Sequence, residues 1–183
     1  MMSVMRRLLV ISAVLLFAVT GKGFAESDGK HGGGVEKAVA VLHPTEGNKV
    51  GGTIQLVRSG GKIKVTGEVT GLAPGEHGFH VHEFGDCSCT DAKCAGDHFN
   101  PHGQPHAAPT EKKRHVGDLG NIRADDGGKA TVSVEDSMIR LDGADSVIGR
   151  AIIIHAKADD LKSQPSGEAG PRVACGVVGI AKP

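Results

Sequence analysis

Lys62-Ile63-Lys64-Val65-Thr66-Gly67-Glu68-Val69 sets the architecture of this chain. Ile63, Val65 and Val69 fall on one side, and Lys62, Lys64, Thr66 and Glu68 on the other. A period of two is the pattern of a strand with one buried and one solvated face. Working outward, Ala130, Val132 and Val134 alternate with Thr131, Ser133 and Glu135. Short apolar runs recur at Ala38–Leu42, Ile54–Val57, Ala151–Ile154 and Val173–Ile180. Turn-forming residues separate them: Pro44 to Gly47, Ser59-Gly60-Gly61, Ala73-Pro74-Gly75 and Asp125-Asp126-Gly127-Gly128. Many short strands joined by Gly-rich turns predict an all-β antiparallel sandwich or barrel. The 28 glycines of the 183-residue chain fit this and argue against a helical bundle.

The first residues read differently. Arg6 and Arg7 precede an apolar run of 12 residues, Leu8 to Val19, and Gly23-Phe24-Ala25 offers small residues at a cleavage site. This is the plan of a secretory signal peptide over residues 1–25, too short for a membrane span of about 20 apolar residues. The Gly-rich residues 26–35 read as a flexible tail, and residues 36–183 as one domain large enough for a core of its own. Export implies a periplasmic or extracellular destination, with no membrane attachment after cleavage. Losing Arg6, Arg7 and Lys22 leaves 18 basic against 21 acidic side chains, with no Trp and no Tyr. A near-neutral chain without a basic stripe or stacking aromatics has little with which to bind nucleic acid.

All four cysteines, Cys87, Cys89, Cys94 and Cys175, follow the leader. An even count in an exported chain favours disulfides over a metal–thiolate site, and counting alone leaves three pairings open.

Two stretches lack a strand pattern, Gly85 to Lys113 and Lys157 to Pro171. Long loops in a compact domain are usually functional, and the first is expected to be ordered by metal. His80-Val81-His82 puts two imidazoles on one side of a strand. His98, His106, His115 and Asp118 follow at gaps of 8, 9 and 3, a donor set suited to tetrahedral zinc. His155 ends an apolar run, where an imidazole needs a partner to be buried. Imidazole suits copper as well as zinc, and no Met or Cys sits where a blue-copper site needs one.

Four segments resemble copper/zinc superoxide dismutase: Gly78-Phe79-His80-Val81-His82-Glu83-Phe84-Gly85-Asp86, His98-Phe99-Asn100-Pro101, Arg114-His115-Val116-Gly117-Asp118-Leu119-Gly120-Asn121, and Arg172-Val173-Ala174-Cys175-Gly176-Val177. The likeness spans about Glu36 to Lys182. It implies an eight-stranded antiparallel Greek-key β-barrel with two long functional loops. It implies dismutation of superoxide to oxygen and hydrogen peroxide. His80, His82, His98 and His155 would bind copper, and His98, His106, His115 and Asp118 zinc, with His98 bridging the two as an imidazolate. Arg172 would orient the superoxide anion, and Asp159 would join a copper histidine to a zinc histidine. Cys87 and Cys175 match the family disulfide in its bacterial-style spacing. Cys89 and Cys94 depart from the common pattern and are expected to form a second, local bridge. The loop before Arg172 looks shorter than in eukaryotic members, which would leave Lys157 and Lys162 to guide substrate. Gly176-Val177-Val178-Gly179-Ile180 resembles the surface that dimeric members use, so a homodimer is expected. The competing readings are a copper-delivery protein and a metal-stabilised dismutase-like binding domain. His31, His43, His77 and His102 receive no role.

Overall fold

The computed structural model describes residues 34–182. The expected signal segment 1–25 lies outside the described residues, as does most of the expected tail. Eight strands follow in order: β1 Lys37–Pro44, β2 Gly51–Ser59, β3 Lys62–Thr70, β4 Gly75–His82, β5 Asp118–Ala124, β6 Ala130–Asp136, β7 Ala151–His155 and β8 Arg172–Ile180. They close into one antiparallel barrel in the order β1-β2-β3-β6-β5-β4-β7-β8. The chain crosses from β3 past β6 and β5 to β4, and from β6 past β5 and β4 to β7. These are Greek-key connections, and closure removes the open edges that invite aggregation.

Local chemistry sets the pairing. β2 and β3 meet at Ser59↔Lys62, joined by Gly60 and Gly61 at φ 53° and 83°. Two central residues at positive φ make the turn whose twist matches a tight hairpin, and glycine adopts it without strain. Inside the barrel the period-two residues interlock. Ala38, Ala40, Ile54, Leu56, Ile63, Val65, Val69, Phe79, Val81, Ile152 and Ile154 are all essentially inaccessible.

Two strands break the alternation of buried and exposed residues. From His77 to His82 every residue of β4 is buried, and so is every residue of β7. Phe79, Val81, Ile152 and Ile154 point into the core, so His80, His82, Ala151, Ile153 and His155 point outward. That outer face is covered by the two loops expected to be functional. Ala92 and Ala95 of the first loop pack on Ala151, Ile153 and Cys175. The disulfides Cys87–Cys175 and Cys89–Cys94 staple this loop, with Cα atoms 5.8 and 5.6 Å apart. Farther along, the loop runs against the backbone of β4. Val81 N donates to Gly117 O at 2.9 Å, and Phe99 N to Val81 O at 2.8 Å. Gly117 is required there, because a Cβ would fall on the Val81 carbonyl. His80, His82 and His155 therefore lie between the barrel wall and its loops, outside the core.

Candidate metal centre

Register irregularities aim two of the wall histidines. The β4–β5 ladder slips between Gly78 and His80, and the β7–β8 ladder between Ile154 and His155. Such bulges re-aim side chains beside functional sites. His80 and His82 come from β4 and His155 from the end of β7, and His98 reaches β4 through a bridge to His82. Ring centroids lie 4.0 Å apart for His80–His98, 5.0 Å for His80–His155 and 5.0 Å for His82–His98. These four imidazoles form one group able to hold a metal ion.

His98, His106, His115 and Asp118 form the second group and share His98 with the first. A tight turn makes it. Asp118 Oδ2 accepts the backbone N–H of His115 at 3.0 Å and of Ala107 at 3.2 Å, which leaves Oδ1 facing inward. Three Nδ1 atoms converge on Oδ1: His98 at 2.8 Å, His106 at 3.0 Å and His115 at 3.2 Å. Zinc bonds of about 2.0–2.1 Å give a tetrahedral donor–donor edge of about 3.3 Å, so these contacts approximate a zinc cage.

Hydrogen bonding tests whether the residues fit metals. Among the described residues, the buried side-chain nitrogens that make no well-formed hydrogen bond are His80 Nδ1, His82 Nε2, His98 Nε2, His155 Nε2, His106 Nδ1 and His115 Nδ1, besides Arg114 Nε. All six imidazole nitrogens belong to the two groups. The opposite nitrogen is engaged in most of the rings. His80 Nε2 and His106 Nε2 donate to the two oxygens of Asp159, at 2.8 and 2.9 Å. His82 Nδ1 donates to Gly96 O at 2.9 Å, and His155 Nδ1 to Gly170 O at 3.0 Å. A carbonyl or carboxylate can only accept, so each of these bonds fixes a hydrogen on the outer nitrogen, and in the neutral rings of His80, His82 and His155 it leaves the inner one a lone pair. An orphaned buried nitrogen is costly unless something binds it, and one metal ion in each group would satisfy all six.

The electrostatics agree. Burial holds His80 down to about 4, against the opposing bond to Asp159, and holds His155 down to about 3. Burial, with His98 and Arg172 nearby, also pushes His82 well below its ordinary value. These rings are neutral at pH 7, the form a metal needs. His106 behaves oppositely. Burial opposes its charge, but Asp118 and Asp159 outweigh it and raise the ring to about 9. Burial pushes both carboxyls up, and the bonds they accept from histidines override it and hold them far below the usual carboxylate range. Carboxylates that favour a proton on His106 favour a dication in the same place.

The structure brings the seven expected metal-facing residues together in two groups that share His98, with Asp159 bonded to one ring of each. The two cysteine pairs are also as expected. Arg172 stands at the mouth of a cleft of about 340 Å³ lined by His82, His98, His155 and Gly170. Its Nη1 donates to Ala92 O at 2.7 Å and its Nη2 to Gly96 O at 2.6 Å. The lysines expected to guide substrate stand outside the cleft. Lys157 and Lys162 are exposed and line no part of the cleft. Their loop turns Asp159 and the Gly170 carbonyl inward and its lysines out to solvent. The outer cavity, about 630 Å³, is edged instead by Glu83, Asp91 and Asp97, with Arg172 and with Lys93, which pairs with Asp91 at 2.9 Å.

Several supports were not foreseen. Arg114 Nη1 donates to the carbonyls of His115, Val116 and Asp118 at 2.9, 3.3 and 3.0 Å, while Nη2 pairs with buried Asp136. Gln164 grips the backbone of His106 through both its N–H and its C=O, and Asn121 grips that of Asp159 likewise. His77, given no role, is buried against the carbonyls of His155 and Ala73. The motif around His115 contains Arg114 and Asn121, but a side chain clamping a distant backbone leaves no periodic mark.

Comparison with known proteins bears on the same residues. A family model described as copper/zinc superoxide dismutase matches residues 50–178. The crystal structure of the clock protein EA4 aligns with a TM-score of 0.75 at 44% identity, over 82% of this chain and 99% of that one. By the matched span, the closed eight-stranded barrel and the paired histidine groups, this chain belongs to the copper/zinc superoxide dismutase family.

Proposed function

We propose that the chain is an exported superoxide dismutase, converting two superoxide anions and two protons to oxygen and hydrogen peroxide. His80 Nδ1 and the Nε2 atoms of His82, His98 and His155 would hold copper. The Nδ1 atoms of His98, His106 and His115, with Asp118 Oδ1, would hold zinc. The observation that carries this reading is the set of six buried imidazole nitrogens left without partners around two adjoining centres. Copper held there would supply one-electron redox chemistry between two oxidation states, and zinc, which keeps one oxidation state, would supply charge and fix the ligands.

The protein's own contribution is orientation and charge. Arg172 spends one N–H of each terminal nitrogen on the loop carbonyls, so its remaining donors and its charge face the cleft. That matches a small anion. His98 has Nδ1 on the zinc side, and its Nε2 is the atom that would hold a proton for the product. Burial of the rings keeps bulk water from competing for them.

The test is superoxide decay by the protein reconstituted with both metals, with metal content measured directly. The expected kcat/KM is near the diffusional limit known for superoxide dismutases, about 10⁸–10⁹ M⁻¹ s⁻¹. Arg172→Gln is expected to lower it roughly tenfold and to flatten its dependence on salt. A protein that holds both metals and does not consume superoxide refutes the reading. The neighbour's printed name, a clock protein, makes a metal-stabilised domain without turnover the second reading, and the same assay separates the two.

Export agrees with the two disulfides, which persist in oxidising compartments. Residues 1–25 are read as the signal that delivers the chain to the periplasm or the extracellular space, and 26–35 as a tail.

A homodimer is part of the same reading. Val41, Phe84, Val177 and Ile180 are the exposed large apolar side chains among the described residues, and Phe84 and Ile180 are 58% and 66% exposed. Val41 and Val177 line one shallow cavity over β1 and β8, and Gly85 adjoins Val177. A solvated apolar surface of this kind is one that a second copy of the chain would cover. Phe84→Glu would place a charge in it, and sedimentation velocity is expected to show the dimer replaced by monomer with metal content unchanged. A wild-type monomer at micromolar concentration would rule the dimer out.

A further inference from the structure

The loop carbonyls that hold Arg172 sit in and beside a small covalent ring. Cys89–Cys94 closes six residues, and Ala92 lies within them. Ala92 is fully buried and has φ 57°, a left-handed conformation that a β-carbon disfavours. Ala92 N donates to Cys89 O at 3.0 Å, and a short 3₁₀ turn, Lys93–Ala95, follows. Gly96 ends the turn, with its N–H on Lys93 O at 3.0 Å. The acceptors for the guanidinium, Ala92 O and Gly96 O, therefore flank this turn. Gly96 O also accepts from His82 Nδ1, so one carbonyl positions both the arginine and a metal-facing ring.

Cys87–Cys175 anchors a different part of the loop. It ties the loop's start to β8, three residues beyond Arg172, and leaves the geometry from Cys89 to Gly96 to other forces. Those forces are the burial of two alanine side chains, a few backbone bonds and the Cys89–Cys94 bridge. Among the described residues, Arg172's side chain donates to no acceptors besides these two carbonyls.

We propose that the Cys89–Cys94 bridge is a positioning device for Arg172: by holding Ala92 and the turn after it, it aims the guanidinium at the anion site beside the metal-binding histidines. The inference rests on the dismutase reading for the role of Arg172. It assigns the local bridge a task separate from fold stability. Opening the ring lets Ala92 leave its strained conformation, and its carbonyl moves with it. A misplacement of about 1 Å at a reacting site can cost up to a hundredfold.

The test uses azide as the anion probe, titrated into the protein loaded with copper and zinc and followed by its charge-transfer band. The variants are Cys89→Ser with Cys94→Ser, Arg172→Gln, and the three changes combined. Metal content and the integrity of Cys87–Cys175 are checked in each. Opening the bridge is expected to weaken azide binding roughly tenfold, a fraction of that upper bound. In the Arg172→Gln background it should add less than about twofold, because residues acting through one contact are not additive. A merely structural bridge would give equal losses in both backgrounds, and that result overturns the proposal. So does azide affinity within about twofold of wild type when Arg172 is intact. If the serine variant does not fold, a glycine inserted between Thr90 and Asp91 keeps both bridges and widens the ring, and the same loss is expected. Copper loss in both variants would mean that the ring holds the metal centre rather than the arginine, and would also overturn it. Azide affinity is read without turnover, so a protein that binds azide through Arg172 but consumes no superoxide fails the function reading alone.

Discussion

Arg114→Met is expected to cost the fold about 3–5 kcal/mol and to weaken the site built on His98, His106, His115 and Asp118 in the same stroke. The side chain is 2% exposed and that of its partner Asp136 3%. Asp136 also accepts the backbone N–H groups of Met138 and Ile139 at 2.7 and 2.9 Å. Removing the guanidinium strands a carboxylate in the interior, where an unpaired charge is among the costliest defects known. It also frees the three carbonyls that Arg114 gathers, two of which belong to His115 and Asp118. Differential scanning calorimetry on the metal-free protein should show Tm falling by about 10 °C, from 2–4 °C per kcal/mol in a domain of this size. Isothermal titration should show weaker zinc binding. Arg114→Lys should recover only part of either loss, because an ammonium cannot span Asp136 and three carbonyls at once. A lysine variant equal to wild type would show that charge, and not the planar fork, is what the site uses.

The fold was legible where one face of a strand is buried and the other is wet. Ile63, Val65 and Val69 give a clean period on β3 for that reason. On β4 and β7 burial no longer alternates, because loops cover the outer face. The metal-facing side of β4 was still legible through His80 and His82, spaced two apart on it. The ligand set was legible because donor types at compatible places are rare. Charge without direction was not legible. Lys157 and Lys162 lie in the right loop, yet nothing in their spacing says that the loop turns Asp159 inward and the lysines outward. Clamps of side chain on backbone were equally hidden. Gln164 holds His106 across 58 residues and Asn121 holds Asp159 across 38. Such bonds have no period and form only once the loops are closed on the barrel.

Those clamps bear on the second large effect, expected at Asp159. Its carboxylate joins His80 Nε2 to His106 Nε2, and both side chains of each pair are wholly buried. Asp159→Ala removes the acceptor from both rings, but the rings are not equally dependent on it. His80 is carried by β4, whose backbone is paired on both sides, to β5 and to β7. His106 stands on a loop, held by Gln164 at its backbone and by this carboxylate at its ring. The loss should therefore fall mainly on the group containing His106. Removing a partner of this kind typically lowers metal affinity by about 10- to 100-fold. Competition with a chelator should place zinc affinity in that range below wild type, with a smaller change for copper. Asp159→Asn should not restore it. An amide has one oxygen to accept with and must turn its N–H₂ towards the other ring, whose outer nitrogen already carries hydrogen. To relieve that clash the ring must move its proton to Nδ1, the atom that would otherwise bind metal. The asparagine variant, nearly identical in shape, thus separates the two accounts: retained zinc affinity would mean that Asp159 acts by filling space, and lost affinity that it acts by fixing the tautomer of the ring it faces.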